Sequence, residues 1–165
     1  MEQIRVAPIR TVELILGKTL PYLAISLLAT AIILVAARLL FGVEVKGPYL
    51  DLFLATLVYL IGALGLGLLI STLADSQLLA FQWGLLISLL PAMLLSGFIF
   101  QIRAMPAALQ LITHLVPARY YLVILRGIII KGSGLGPYWD QLGYLGLFAA
   151  LTLGLSSLRL AREEA

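Results

Sequence analysis

The chain is 165 residues long, with 62% hydrophobic and 12% charged residues and a mean hydropathy of +1.08. Soluble domains average about half apolar and about a quarter charged, so this composition excludes a water-soluble globular protein and points to an integral membrane protein. The net charge of +3 is scattered rather than clustered, which excludes a basic nucleic-acid-binding face, and the absence of cysteine excludes disulfides and thiolate chemistry.

No break in composition divides the chain, so residues 1–165 read as a single transmembrane domain. Residues 1–18 mix polar and apolar side chains and do not form the continuous apolar core of a cleavable signal. Within them, "PIRTVELILGK" at 8–18 reads as an amphipathic helix opened by Pro8. Ile9, Val12, Ile15 and Leu16 share one face. Arg10, Thr11, Glu13 and Lys18 lie around the rest, with Leu14 among them. Such a helix lies on the lipid surface or offers its charged face to a cytosolic partner. "ILGKT" at 15–19 has the tail of a phosphate-binding loop. The glycine that the full motif needs five residues before Gly17 is replaced by Val12, and no strand precedes it.

Four apolar runs follow, each long enough for the roughly 20 helical residues that cross a bilayer core. They cover 20–41, 52–73, 78–100 and 141–160. Arg38 sits near the end of the first, where its side chain can snorkel to the headgroups. Pro91 is expected to kink the third. Tyr138 and Trp139 before the last run, and Arg159 and Arg162 at its end, mark two interfaces. Small residues recur at Ala63 and Gly67 on the second span, and at Gly146, Ala150 and Gly154 on the last. These stripes suit close helix packing in lipid; they are equally what an abundance of glycine and alanine produces by chance.

Between the third and fourth runs lie two shorter apolar pieces, "PAALQLITHL" at 106–115 and "PARYYLVILRGIII" at 117–130, each opened by a proline. At 1.5 Å per residue they reach roughly 15 Å and 20 Å, too short to cross a core of about 30 Å. They are too apolar for a solvated loop. A re-entrant helix pair over 106–130 satisfies both facts, with its polar ends buried in protein or facing water. Arg119 and Arg126 are seven residues apart and share a helix face. They either anchor the pair at the interface, or face a pathway and pair with Asp140 or a partner subunit. His114, the single histidine, has no carboxylate near it in sequence and reads as a satisfied or interfacial side chain. "GSGLGP" at 132–137 reads as a flexible turn. With acidic residues scattered along the chain, neither a metal cluster nor a catalytic carboxylate pair is supported.

Four spans place both ends of the chain on one side. Arg5, Arg10, Lys18, Arg159 and Arg162 then oppose Lys46, Arg103, Arg119, Arg126 and Lys131, so the charges balance and do not orient the protein.

Three blocks in this order, "MEQIRVAPIRTVELILGKTLPY", "SGFIFQIRAMP" and "PARYYLVILRGIIIKG", resemble the membrane subunit of export-type (type-2) ABC transporters. The likeness extends over essentially the whole chain. It implies an all-α integral membrane fold of four transmembrane helices, with an N-terminal amphipathic coupling helix at 8–18 and a re-entrant pair before the last span. It further implies that Pro8, Arg10, Glu13, Leu14 and Lys18 form the ATPase-coupling face. Pro106, Pro117, Arg119, Tyr120, Arg126 and Lys131 would shape the re-entrant pair. This chain would bind no cofactor, the ATP being held by a cytosolic ABC ATPase subunit. A second permease copy and a separately encoded N-terminal half are further implied partners, because family members carry two earlier spans and an external domain. The resemblance puts 1–18, Asp75 and the C-terminus in the cytosol of a bacterial cell, in its cytoplasmic membrane. Gln101 stands where the family usually has proline, which softens the local turn. A non-transporting membrane scaffold derived from a shortened permease is the alternative; an intramembrane enzyme or a secondary transporter finds less in these residues.

Overall fold

The computed structural model describes residues 11–163, with side chains placed for 17 and 19–159. Within this range the protein is all-α, with four helical stretches long and apolar enough to cross a membrane. It is a multi-pass membrane protein.

The first helix, α1 (Thr11–Phe41), runs unbroken for 31 residues. At 1.5 Å per residue it is about 46 Å long, so about a third of it projects beyond a 30 Å core. From Thr11 onward the amphipathic segment and the first span form one rod. Pro21 lies inside it and its missing N–H does not stop it. Gly42 ends the helix at φ +63°, a left-handed conformation that costs glycine little, and its N–H bonds the Arg38 carbonyl at 3.0 Å.

A short connection leads to α2 (Tyr49–Leu73), and Ala74–Ser76 turns the chain into the third span. Ser76 caps that span by accepting the Leu79 N–H at 3.3 Å. The span is α3 (Gln77–Gly84), a π-helical turn (Leu85–Leu89) and α4 (Leu90–Leu95). The wide turn has a local cause. Pro91 removes one donor and its ring crowds the carbonyl four residues back, and the π register, with Leu90 N–H bonded to Leu85 O, relieves that crowding. The helix also stops at Leu95, not at the expected Phe100. Gly97 takes φ +84°, the Ser96 hydroxyl folds back on the Ala92 carbonyl, and residues 96–101 leave the helical path.

The two short elements follow: α5 (Ala107–Ile112), which tightens into a 3₁₀ turn at Thr113–Leu115, and α6 (Pro117–Lys131). They meet at 84°. The chain then enters α7 (Trp139–Glu163).

Helix α2 is the centre of the bundle. It packs along α7 with both running the same way, α6 closes over one end of the pair, and α1 and α3 lie against its sides. Leu52, Ala55, Ile124, Ile128, Leu135 and Leu145 form the buried cluster where α2, α6 and α7 meet. Further along, Gly62 lies under Phe148 and Ala149, and Gly65 under Thr152 and Leu153. The Thr152 hydroxyl donates to the Gly62 carbonyl at 3.2 Å and Ser156 donates to Gly65 O at 3.0 Å. Such small-residue contacts with hydroxyl donors hold helices together where hydrophobic burial gives no drive. This is not the stripe expected from sequence: a Cβ added to Gly67, Gly146 or Gly154 would meet nothing within 4 Å, and Ala150 is exposed. The true contact faces lie about one residue round each helix.

Candidate functional site

The re-entrant pair is held by its prolines and by three side chains. Pro106 sits at the N-cap of α5. Pro117 opens α6 and forces Val116 into extended backbone, φ −91° and ψ 110°, because its ring excludes the helical conformation from the residue before it. That single extended residue makes the elbow. Across it, the Arg119 guanidinium donates to the Thr113 hydroxyl, and Thr113 in turn donates to Gln110 O at 2.7 Å. The Tyr120 hydroxyl donates to His114 O at 2.8 Å, and its ring stacks on Tyr144 of α7 at 4.9 Å. His114 is satisfied, its Nδ1–H donating to Gln110 O at 3.0 Å.

Further along α6, Arg126 donates through Nη2 to the carbonyl of Gly97, 3.0 Å away at the end of the third span. Both arginines therefore reach back towards the segment that precedes α6, and neither forms an ion pair with Asp140. Lys131 is exposed in the last turn and takes no partner among the described residues.

The glycine-rich turn after α6 is pinned, contrary to the flexible turn expected from "GSGLGP". Gly132 takes φ +70°. The Ser133 hydroxyl donates to Gly127 O at 3.0 Å, and the Leu135 N–H donates to Asp51 Oδ2 at 2.8 Å. Lys46 N–H reaches Ile129 O at 3.3 Å, so the α1–α2 connection and the 132–135 turn lie together at the re-entrant end. Tyr138 rests on Gly127, where any side chain would collide with its ring. The Asp51 clasp joins residues 84 positions apart, and no spacing rule in the sequence would have found it. The same holds for Tyr59 and Tyr121, which stack at 4.4 Å while Thr56 and Tyr121 share a 2.9 Å hydrogen bond.

At the opposite end, the expected coupling face is described only in part. Pro8 and Arg10 lie outside the described residues, as do the side chains of Glu13, Leu14 and Lys18; the backbone of 11–18 is helical. Beside it, a cleft of about 570 Å³ lies between α1 and α2, lined by Thr19, Tyr22, Ala63, Gly67 and Ser71. Among the described residues, no group of three His, Cys, Asp or Glu is placed to hold a metal ion.

A family model described as ABC-2 type transporter matches residues 1–130. The chain is 35% identical over 163 residues to the probable multidrug ABC transporter permease YbhS of Escherichia coli K12, covering 99% of this chain and 43% of that relative. It is 30% identical over 152 residues to the probable multidrug ABC transporter permease YbhR of the same organism, covering 92% and 41%. ABC transporter G family member 20 of Dictyostelium discoideum is 27% identical over 127 residues, 77% of this chain and 17% of that protein. The chain thus spans less than half the length of these relatives. No solved structure matches it significantly.

Proposed function

This chain belongs to the ABC-2 type transporter family, and on that premise we propose that it is a permease component of an ATP-driven exporter. A separate cytosolic ABC ATPase holds the nucleotide. Its closure pushes on the 8–18 segment, and the push opens a path between this chain and a second permease copy. The end that carries 11–18 and Asp75 then faces the cytosol of a bacterial cell, and the re-entrant pair faces outward.

The observation that carries this reading is the unbroken α1. A helix that starts at Thr11 and passes through Pro21 to Phe41 without a hinge is a stiff lever. A force applied to its charged first turns reaches Gly42 and the Lys46–Ile129 contact with α6. The cleft beside its first half leaves room for that end to move against α2.

The test is co-purification with a cognate ABC ATPase, comparing wild type with Glu13→Lys. A charge reversal within a packed, desolvated contact costs several kcal/mol, about 2–5. ATPase recovery is expected to fall at least tenfold while membrane insertion, which depends on the apolar spans, is unchanged. Undiminished recovery would remove this face as the docking site. If wild type itself recovers no ATPase, a scaffold role without transport becomes the better reading.

A further inference from the structure

The third span is attached to the bundle unlike its neighbours. Helices α2 and α7 are joined along their length by the Thr152–Gly62 and Ser156–Gly65 hydrogen bonds. Among the described residues, one hydrogen bond joins residues 77–100 to another element, and no side chain from Gln77 to Leu95 is buried. That one bond sits at the far end of the span, where Arg126 Nη2 of α6 donates to Gly97 O at 3.0 Å. Support changes along the span as well. The half before the π-helical turn leans chiefly on α2, and the half after it on α5 and α6.

The backbone lets these two halves move separately. At the π-helical turn the Leu90 N–H reaches Leu85 O, one residue further back than in an α-helix, and Pro91 brings no N–H of its own. A wide turn beside a proline is where helices bend at least cost, because fewer backbone bonds tie one side to the other. Beyond Leu95 the chain leaves the helical path, and a three-residue 3₁₀ turn at Ile102–Ala104 is its only regular element before α5. That stretch supplies slack. The left-handed Gly97, φ +84°, turns the chain at the point where its carbonyl meets α6. On the other side of the contact α6 is firm, being strapped across the elbow by Arg119 and followed by the loop that Asp51 pins.

We propose that the half of the third span next to the re-entrant pair, α4 with residues 96–100, is a gate that pivots at the π-helical turn and is latched by Arg126 on the Gly97 carbonyl. The latch suits its task. A guanidinium at the carbonyl end of a helix complements the partial negative charge there, so the closed position is favoured. The bond is also exposed, so water takes the place of either partner when it opens, and the gate closes again without a trapped polar group. Opening parts Pro91, Ala92 and Leu95 from Val116 and Pro117 of the elbow, across a space that already separates them in part. The half before the π-helical turn stays on α2. The device lies within this one chain, needs no nucleotide and goes beyond the permease reading.

Distances between pairs of nitroxides, read by pulsed electron resonance on the full chain in proteoliposomes without ATPase, test both pivot and latch. One pair, Ile99→Cys with Trp139→Cys, reports the gate against α7; the other, Leu78→Cys with Leu158→Cys, reports the half before the pivot. All four positions are exposed, and the chain has no native cysteine. In the wild-type background the Ile99–Trp139 pair is expected to show a main distance and a minor second one, and the Leu78–Leu158 pair one distance. Arg126→Leu should raise the minor population about tenfold relative to the main one, as loss of one exposed charge-assisted hydrogen bond would. Arg126→Lys keeps the charge but loses the planar fork, and should give a smaller rise in the same direction, which tests the latch even where the leucine variant does not insert. Pro91→Ala relieves the crowding that sets the π register, and should reduce the Ile99–Trp139 pair to one distance. Populations unchanged in both Arg126 variants would overturn the latch. Equal spreading of the Leu78–Leu158 pair, or an undiminished second distance in Pro91→Ala, would overturn the pivot. Because no ATPase is present, a negative result leaves the permease reading standing, and failed ATPase recovery leaves the gate standing.

Discussion

Glycine at 65 and glycine at 67 look alike in sequence and do opposite things. A Cβ on Gly65 would lie 2.6 Å from Thr152 Oγ1 and 3.1 Å from the backbone nitrogen of Leu153, whereas one on Gly67 meets nothing within 4 Å. The nearer collision is with a hydroxyl held by its own hydrogen bonds, and the Leu153 backbone beside it cannot rotate away, so α2 and α7 must separate. Separation also lengthens the Thr152–Gly62 and Ser156–Gly65 hydrogen bonds, which have no water to replace them. Overpacking of this kind costs about 1–3 kcal/mol. Gly65→Ala is therefore expected to lower the thermal midpoint of the detergent-solubilised protein by several degrees. Gly67→Ala should leave it unchanged or raise it, since alanine is the better helix former. Equal effects would mean that α7 does not pack on this face.

At the scale of the element, α6 is a short helix that keeps its place because both ends are tied. Its first turn is strapped across the elbow by Arg119 and Tyr120, its middle is tied to Gly97 by Arg126, and its last turn is followed by the Asp51-pinned loop. Lys131 contributes nothing to this bracing. In right-side-out vesicles, Arg126→Leu and Arg119→Leu are each expected to increase proteolytic cleavage within 97–117 several-fold, while Lys131→Leu leaves it near wild type. If Lys131→Leu were the most damaging of the three, the bracing contacts would be wrong. The same ties explain why a helix too short to span can hold a fixed tilt: packing and hydrogen bonds set its position, not the length of its apolar stretch.

Taken whole, the molecule is a polarised bundle. The α1–α2 connection, the elbow and the 132–138 turn gather at one end through Lys46–Ile129 and Asp51–Leu135. The α2–α3 turn with Asp75 lies at the other end, 25 helical residues away along α2. Single cysteines at Ser133 and Asp75 are therefore expected to react with an impermeant maleimide from opposite sides of the membrane. No native thiol interferes, because the chain has no cysteine. Labelling of both from one side would overturn the arrangement of four spans.

What the residues by themselves determined is what depends on chain-local physics. Runs of apolar side chains must be helical in lipid, because only a helix satisfies every backbone group within its own segment. Hence the four spans were legible, and so was a pair of short helices bent at Pro117: it needed only two prolines and two lengths too short to cross singly. The coupling segment was legible as an amphipathic pattern leading into the first span, and from Thr11 onward the two form one helix, the remaining hydrogen bonds carrying it past Pro21. Everything that joins distant residues was left to the tertiary structure. Four-residue spacing identifies a smooth stripe but does not say which way it points, so Gly146, Ala150 and Gly154 face outward while Gly62 and Gly65 carry the contact. A glycine-rich turn reads as loose until Asp51, far away in sequence, binds its backbone. Such ties are properties of surfaces that the chain brings together and not of any segment alone.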